Sequence, residues 1–161
     1  MNAEKSKLKS KRKRRVTGPV PRPGMMIREF HLSDYDAVVE IWRRAKVNLR
    51  LDGRDSLQAL ERQLQVMGPF MLVAEYDGKV AGVVLGSHDG LDGFINRLAV
   101  DPDYRRKGIA KRLVSEAERR LLDKGIESVV LVAETDKKDS LAAFRHMGYR
   151  ERVRVSFMAR K

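Results

Sequence analysis

Between Leu98 and Val114 the chain reads LAVDPDYRRKGIAKRLV, and this stretch limits what it can fold into more than any other. An apolar, strand-like run breaks at Asp101-Pro102 and passes through a polar loop with three consecutive cations. After Gly108, Ala110, Leu113, Val114, Ala117 and Leu121 recur at helical spacing with charged residues opposite, and Gly125 stands where such a helix would end. The turn is also chemically marked. The first backbone N–H groups of a helix lack intrahelical partners, and the helix dipole adds partial positive charge, so an anion is favoured there. Arg105, Arg106 and Lys107 reinforce that polarity, Gly108 permits close backbone approach, and Ala110 is small enough for tight packing. A pyrophosphate is the natural occupant.

The remaining elements follow from pattern and punctuation. MMIREF predicts a first strand from Met25, and Ser33 offers an N-cap for a helix whose face carries Val38, Ile41, Trp42 and Ala45. Leu57, Leu60, Gln63 and Leu64 predict a second, shorter helix ending near Gly68-Pro69. FMLVAEY and VAGVVLGS, joined through Asp77-Gly78-Lys79, predict a hairpin. FINRLAV is a further strand, SVVLVAE a buried one, SLAAFRHMG a short helix stopped at Gly148, and VRVSFMA a closing strand. The resulting order, β, α, α, β, β, β, α, β, α, β, is neither a regular βαβα alternation nor an all-β pattern. A mixed α/β (α+β) sheet with helices packed on it is the economical architecture.

Charge separates the chain into an arm and a body. The 161 residues carry a formal +12, which resembles a nucleic-acid signature until the charge is located. Residues 1–24 hold nine Lys or Arg against one Glu, a net +8, which leaves only +4 for residues 25–161. The arm also holds three of the five prolines and no aromatic residue, so it buries too little apolar area to offset its ordering entropy and is expected to be disordered. The run KSKLKSKRKRR (residues 5–15) suits non-specific contact with nucleic acid or a ribosome; without interleaved aromatics it offers no base stacking. It equally suits a solubilising tail. With no cysteine, a disulfide framework, a cysteine-based zinc site and a thiol nucleophile are excluded, and no metal is expected. No apolar run approaches the roughly 18 residues of a membrane span, so no membrane partner and a cytoplasmic location are expected. Monomer and homodimer both stay open.

Arg105-Arg106-Lys107-Gly108-Ile109-Ala110 resembles the R/Q-x-x-G-x-G/A pyrophosphate loop of the GNAT superfamily of acetyl-CoA-dependent N-acetyltransferases, and its context matches: a strand ending in LAV before it, a long amphipathic helix after it, then a strand and a short helix ending in Gly148-Tyr149. The resemblance covers roughly residues 26–161. It implies a GNAT fold with a six- to seven-stranded mixed, mostly antiparallel sheet and about four helices, and direct attack of an amine on the acetyl-CoA thioester. It further implies that backbone groups at Leu98, Ala99 and Val100 pair with the pantetheine arm and polarise the thioester carbonyl, while residues Arg105, Arg106, Lys107, Gly108, Ile109, Ala110 and Lys111 grip the pyrophosphate. Arg112 is read as solvated helix face.

A protonated amine needs a proton acceptor. Family members often place a glutamate on the strand before the loop; here Asp92 and Glu134 are the candidate bases, with His88 and His146 behind them, and Trp42 is read as core. Many members carry a tyrosine in the last helix to protonate the leaving thiolate, whereas this chain has Phe144, and Lys137 and Lys138 stand near where an asparagine is usual. Either water protonates the thiolate and catalysis survives, or the chain binds acetyl-CoA with little turnover. Residues 48–55, with their Arg-Leu-Asp-Gly-Arg-Asp pattern, are expected to help shape the acceptor pocket, and the acceptor itself stays open.

Overall fold

Asp77 and Gly78 form the tightest turn of the sheet. In the computed structural model, which describes residues 24–66, 68–134 and 137–152, both adopt left-handed backbone, with φ of 49° and 76°. A two-residue hairpin needs that pair of conformations to match the twist of its strands. The turn joins β2 (Phe70–Tyr76) to β3 (Lys79–His88). β1 (Met25–Glu29) pairs antiparallel with β2, and β4 (Asp92–Val100) pairs antiparallel with β3 and parallel with β5 (Ser128–Leu131). The sheet order β1-β2-β3-β4-β5 is therefore mixed and mostly antiparallel, as expected. It contains five strands among the described residues rather than six or seven; the expected closing strand, VRVSFMA, lies outside them. β5 is shorter than its sequence suggests and half-buried throughout, because the chain turns away from β4 after Leu131.

Among the described residues four α-helices accompany the sheet: α1 (Tyr35–Arg44), α2 (Leu57–Gln65), α3 (Ile109–Asp123) and α4 (Lys138–His146). The start of α1 differs from the expectation. Ser33 is exposed inside a single 3-10 turn, Leu32–Asp34, and Asp34 fixes that turn by accepting the His31 N–H at 2.9 Å. Arg28 on β1 donates to both Asp34 oxygens, at 2.7 and 2.9 Å, and holds this carboxyl below its ordinary pKa against the opposing effect of burial. Helix α2 begins on Ser56, whose hydroxyl accepts the Ala59 N–H at 3.2 Å.

Strand alternation then divides the core in two. Met71, Val73, Val83, Leu85 and Ala99 meet Val38, Ile41, Trp42 and Leu60 of α1 and α2 on one face. Leu72, Ala74, Ala81, Val84 and Ile95 meet Ile109, Leu113, Val114, Ala117 and Leu121 of α3 on the other. Helix α3 lies close against its face because two strand positions lack side chains. A Cβ on Gly82 would stand 2.8 Å from Ile109 Cγ2, and one on Gly93 would stand 2.8 Å from Leu121 Cδ1. The first of these contacts seats the beginning of α3 against β3. Helix α4 is tied to the same layer where the Tyr149 hydroxyl donates to Glu118 at 2.5 Å.

Candidate active site

The site is built where β4 loses one neighbour. Asp92 to Ile95 pair with Ser128 to Leu131, and the Val132 N–H still reaches the Ile95 carbonyl at 2.9 Å. Beyond that point residues 96–100 keep β3 on one side and have no strand on the other among the described residues. A β-bulge sits on this free stretch. Val83 faces Ala99 and Leu85 faces Asn96, so Arg97 and Leu98 together oppose Val84, and Arg97 takes φ of 55°. Such a bulge re-aims backbone amides at an edge that no other strand uses among the described residues. Leu98 and Val100 turn their half-buried side chains to the α3 layer and Ala99 turns to α1 and α2, which leaves main-chain groups as what this edge offers.

The strand runs directly into the loop singled out by sequence. Asp101 anchors its start: its N–H meets the Ala81 carbonyl at 2.9 Å, and its carboxylate receives Arg44 from α1 at 2.7 and 2.8 Å. Tyr104 packs edge-on to Tyr76 at 5.7 Å, and the Lys107 ammonium lies over the Tyr76 ring at 5.1 Å. Two residues of this turn are left-handed, Arg106 at φ 59° and Gly108 at φ 80°. Switches of backbone hand within one turn point successive N–H groups inward, which makes an anion-binding concavity. Helix α3 continues it. Its N-cap Gly108 makes no side-chain capping bond, and the first helical bond is Arg112 N–H to Gly108 O at 3.2 Å.

Around this cradle Arg105, Arg106, Gly108 and Lys111 are exposed and Ala110 is half-buried. The Ile109 side chain is buried in the core, so only its amide faces the turn. Arg112 departs from the solvated reading: it is half-buried and donates to the Met25 carbonyl at 3.2 Å, tying the start of β1 to the first turn of α3.

Residues 48–55, expected to shape the acceptor pocket, meet the free stretch of β4 in a cluster centred on Arg97, which the sequence reading left unassigned. Asp55, in the connection between α1 and α2, is 2 % exposed and forms an ion pair with Arg97 of the bulge. It also accepts the Arg50 N–H at 2.8 Å. Arg97 donates to the Asn48 carbonyl at 3.2 Å and lies over the Trp42 ring at 5.3 Å, while the Trp42 indole N–H donates back to the Arg97 carbonyl at 3.3 Å. Burial pushes the guanidinium below its ordinary pKa and Asp55 opposes that shift, as does the nearby charge of Glu134. The available signal was an arginine inside an otherwise apolar strand. Trp42, 1 % exposed, is core as expected.

The candidate bases separate cleanly. Asp92 begins β4, six residues and about 20 Å of strand from Leu98. His88 faces Gly93 at that same far end, and His146 closes α4 with Nδ1 2.9 Å from the Ala142 carbonyl. Glu134 lies three residues past β5 rather than on it, where the chain diverges from β4, and is exposed. It sits 2.7 Å from the Lys137 ammonium, which also donates to the Lys46 carbonyl at the end of α1, 3.0 Å away. Phe144 is half-buried on α4. A separate groove bordered by Glu29, Phe70, Arg120 and Lys124 lies at the other end of α3, about 20 Å from Gly108 by helix rise.

Comparison with known proteins agrees with this geometry. Residues 35–149 match the sequence model of the acetyltransferase (GNAT) family. An acetyltransferase of Pectobacterium atrosepticum is 33% identical over 125 residues, 78% of this chain and 87% of the relative. One of Photorhabdus laumondii is 31% identical over 137 residues, 85% of this chain and 94% of the relative. Among solved structures, the aminoglycoside N-acetyltransferase AAC(6')-Iy in complex with CoA superposes with a TM-score of 0.69 at 24% identity, covering 89% of this chain and 99% of that one. The aminoglycoside 6'-N-acetyltransferase AAC(6')-Ih of Acinetobacter baumannii does so with 0.71 at 21% identity, covering 86% and 99%. The chain belongs to the acetyltransferase (GNAT) family and is an N-acetyltransferase that uses acetyl-CoA as co-substrate.

Proposed function

We propose that the free edge of β4 and the turn after it form the acetyl-CoA site. The observation that carries this reading is the continuity between the two. Five residues of β4, without a strand partner on one side among the described residues, lead within one short loop to a helix start preceded by two left-handed residues. A pantetheine arm pairs with Leu98 to Val100 as an added strand, and its diphosphate rests on the amides of residues 106–111. Arg105, Arg106 and Lys111 supply cationic cover. An amide near the bulge faces the thioester oxygen, where negative charge develops during attack. Phe144 presents an apolar wall to the same channel.

The acceptor amine approaches from the side of the α1–α2 connection, and Glu134 is the base that takes its proton. Position favours Glu134 over Asp92, since Glu134 borders the free edge and its charge is felt at Arg97. Residues 1–24 form a separate basic arm that adds polyanion contact without entering the acetyl-CoA site. The charge count supports it, a net +8 in 24 residues before a body of +4.

One experiment addresses both parts. A ligand that binds only the native state raises apparent stability by about 2.7 kcal/mol at a hundredfold excess over Kd. Acetyl-CoA should therefore raise the Tm of the full chain and of a chain lacking residues 2–24 equally, while retention on immobilised RNA disappears only with the arm. A shift lost with the arm would place the domain boundary elsewhere. Turnover is then measured with spermidine, kanamycin A and the peptide Ala-Lys-Ala-Ala. Binding without acetylation of any of them would favour a binding module.

A further inference from the structure

Loss of the thiolate is the half of the reaction for which the site so far has no proton source. Phe144 has no proton to give. The Tyr35 and Tyr149 hydroxyls are committed: the first donates to the Asp55 carbonyl at 3.0 Å and the second to Glu118 at 2.5 Å. His88 and His146 stand at the far ends of their elements. Arg97 borders the cleft, but a guanidinium does not release its proton in this pH range.

Lys137 has protons to give, and its placement is specific. It is the N-cap residue of α4, yet its ammonium reaches across to the Lys46 carbonyl behind α1, so the side chain spans from one helix layer to the other beside the free edge of β4. An ammonium carries three protons. One is directed to the Lys46 carbonyl and one to Glu134, which leaves a third. On ordinary values an alkylammonium is a weaker acid than a thiol, near 10.4 against 8.5, so transfer to the thiolate runs uphill by about two units and is drawn forward by the carboxylic acid, near 4.3, that returns a proton to the amine.

Resting on the transferase reading above, we propose that Lys137 protonates the departing coenzyme A thiolate and that Glu134 then restores the proton, so that the pair works as a relay. The acceptor gives one proton to solvent on binding as the free amine. Its nitrogen lone pair forms the C–N bond to the acetyl carbonyl carbon, and the tetrahedral adduct sheds a second proton to Glu134. Collapse breaks the C–S bond with the electron pair going to sulfur, which takes a proton from Lys137. The protonated Glu134 carboxyl then passes its proton across the 2.7 Å contact to the Lys137 amine. Products are the amide and free thiol, and both side chains return to their starting charge.

The test compares Lys137→Arg and Lys137→Met with wild type, using acetyl-CoA with spermidine, kanamycin A and Ala-Lys-Ala-Ala. Arginine keeps the charge and both contacts but cannot give up the proton, so a structural role would be rescued by it and a relay would not. General acid catalysis of this kind contributes about 10²–10⁴-fold, so kcat should fall at least about 100-fold in both variants. KM for acetyl-CoA and the thermal shift with acetyl-CoA should stay within about threefold and a degree or two of wild type, in line with a group that acts after binding. Lys137→Arg retaining kcat within about threefold of wild type overturns the relay alone. Failure of wild type to acetylate any of the three amines overturns the transferase site reading, and the relay with it.

Discussion

Asp55→Ala should destabilise the protein by ~3–5 kcal/mol. Removing this carboxylate leaves the Arg97 guanidinium, with a side chain only 10% exposed, buried without its counter-ion. It also strips the Arg50 N–H of its acceptor and releases the connection between α1 and α2 from the sheet. The comparison that isolates the cause is the double variant Asp55→Leu/Arg97→Met. Replacing both partners of a buried pair with apolar groups is often close to neutral, so the double variant should recover most of the loss in a urea unfolding series. If Asp55→Ala unfolds within about 1 kcal/mol of wild type, the pair is solvated in solution and does not hold the bulge. Activity should fall further than stability alone predicts, because Arg97 is the left-handed bulge residue and its main chain aims the amides beside it.

Gly108→Glu should weaken acetyl-CoA binding by at least about 100-fold, with a stability loss near 1–2 kcal/mol from forcing a side-chain residue into left-handed backbone. The position is the N-cap of α3 with φ of 80°. A carboxylate there meets the same helix dipole and free amides that favour the diphosphate, and competes with it. Gly108→Gln separates the contributions, since it carries the same backbone strain and bulk with no charge. The glutamine variant should lie between wild type and the glutamate variant by calorimetric titration with acetyl-CoA. Equal affinities for Gln and Glu would show that no anion is held at this turn.

Much of this architecture is readable from local sequence because its causes are local. Asp77-Gly78 specifies a two-residue turn by conformational preference alone, and the period of Ala110 to Leu121 specifies α3. Gly108 and Gly125 bracket that helix for the reason sequence suggests: both are left-handed, at φ 80° and 82°. What local pattern does not contain is pairing across distance. Asp55 and Arg97 are 42 residues apart, and nothing near either predicts the other. Ser33 is as good a capping residue as Asp34 by composition, and Arg28 on β1 decides between them by its bond to Asp34. Arg112 sits at a helix position that reads as solvated, and only the proximity of β1 converts it into a structural contact.

The candidate site divides in the same way. The cradle after β4 is contiguous in sequence, so its residues, charge and helix start can be recognised together. The base is not contiguous with it. Asp92 and Glu134 flank the motif on either side, and strand register separates them, with Asp92 at the paired end of β4 and Glu134 beyond the point where β5 leaves. Lys137 becomes interesting only once its reach to Lys46, 91 residues away, is seen.

A structure of the protein crystallised with acetyl-CoA tests the acetyl-CoA site most directly. The diphosphate oxygens should lie about 3 Å from the amides between Arg106 and Lys111, with the pantetheine running along Leu98 to Val100 on the side β5 has left. A diphosphate found instead in the groove beside Glu29, Phe70 and Arg120, with the turn at Gly108 contacting only solvent, would contradict the assignment.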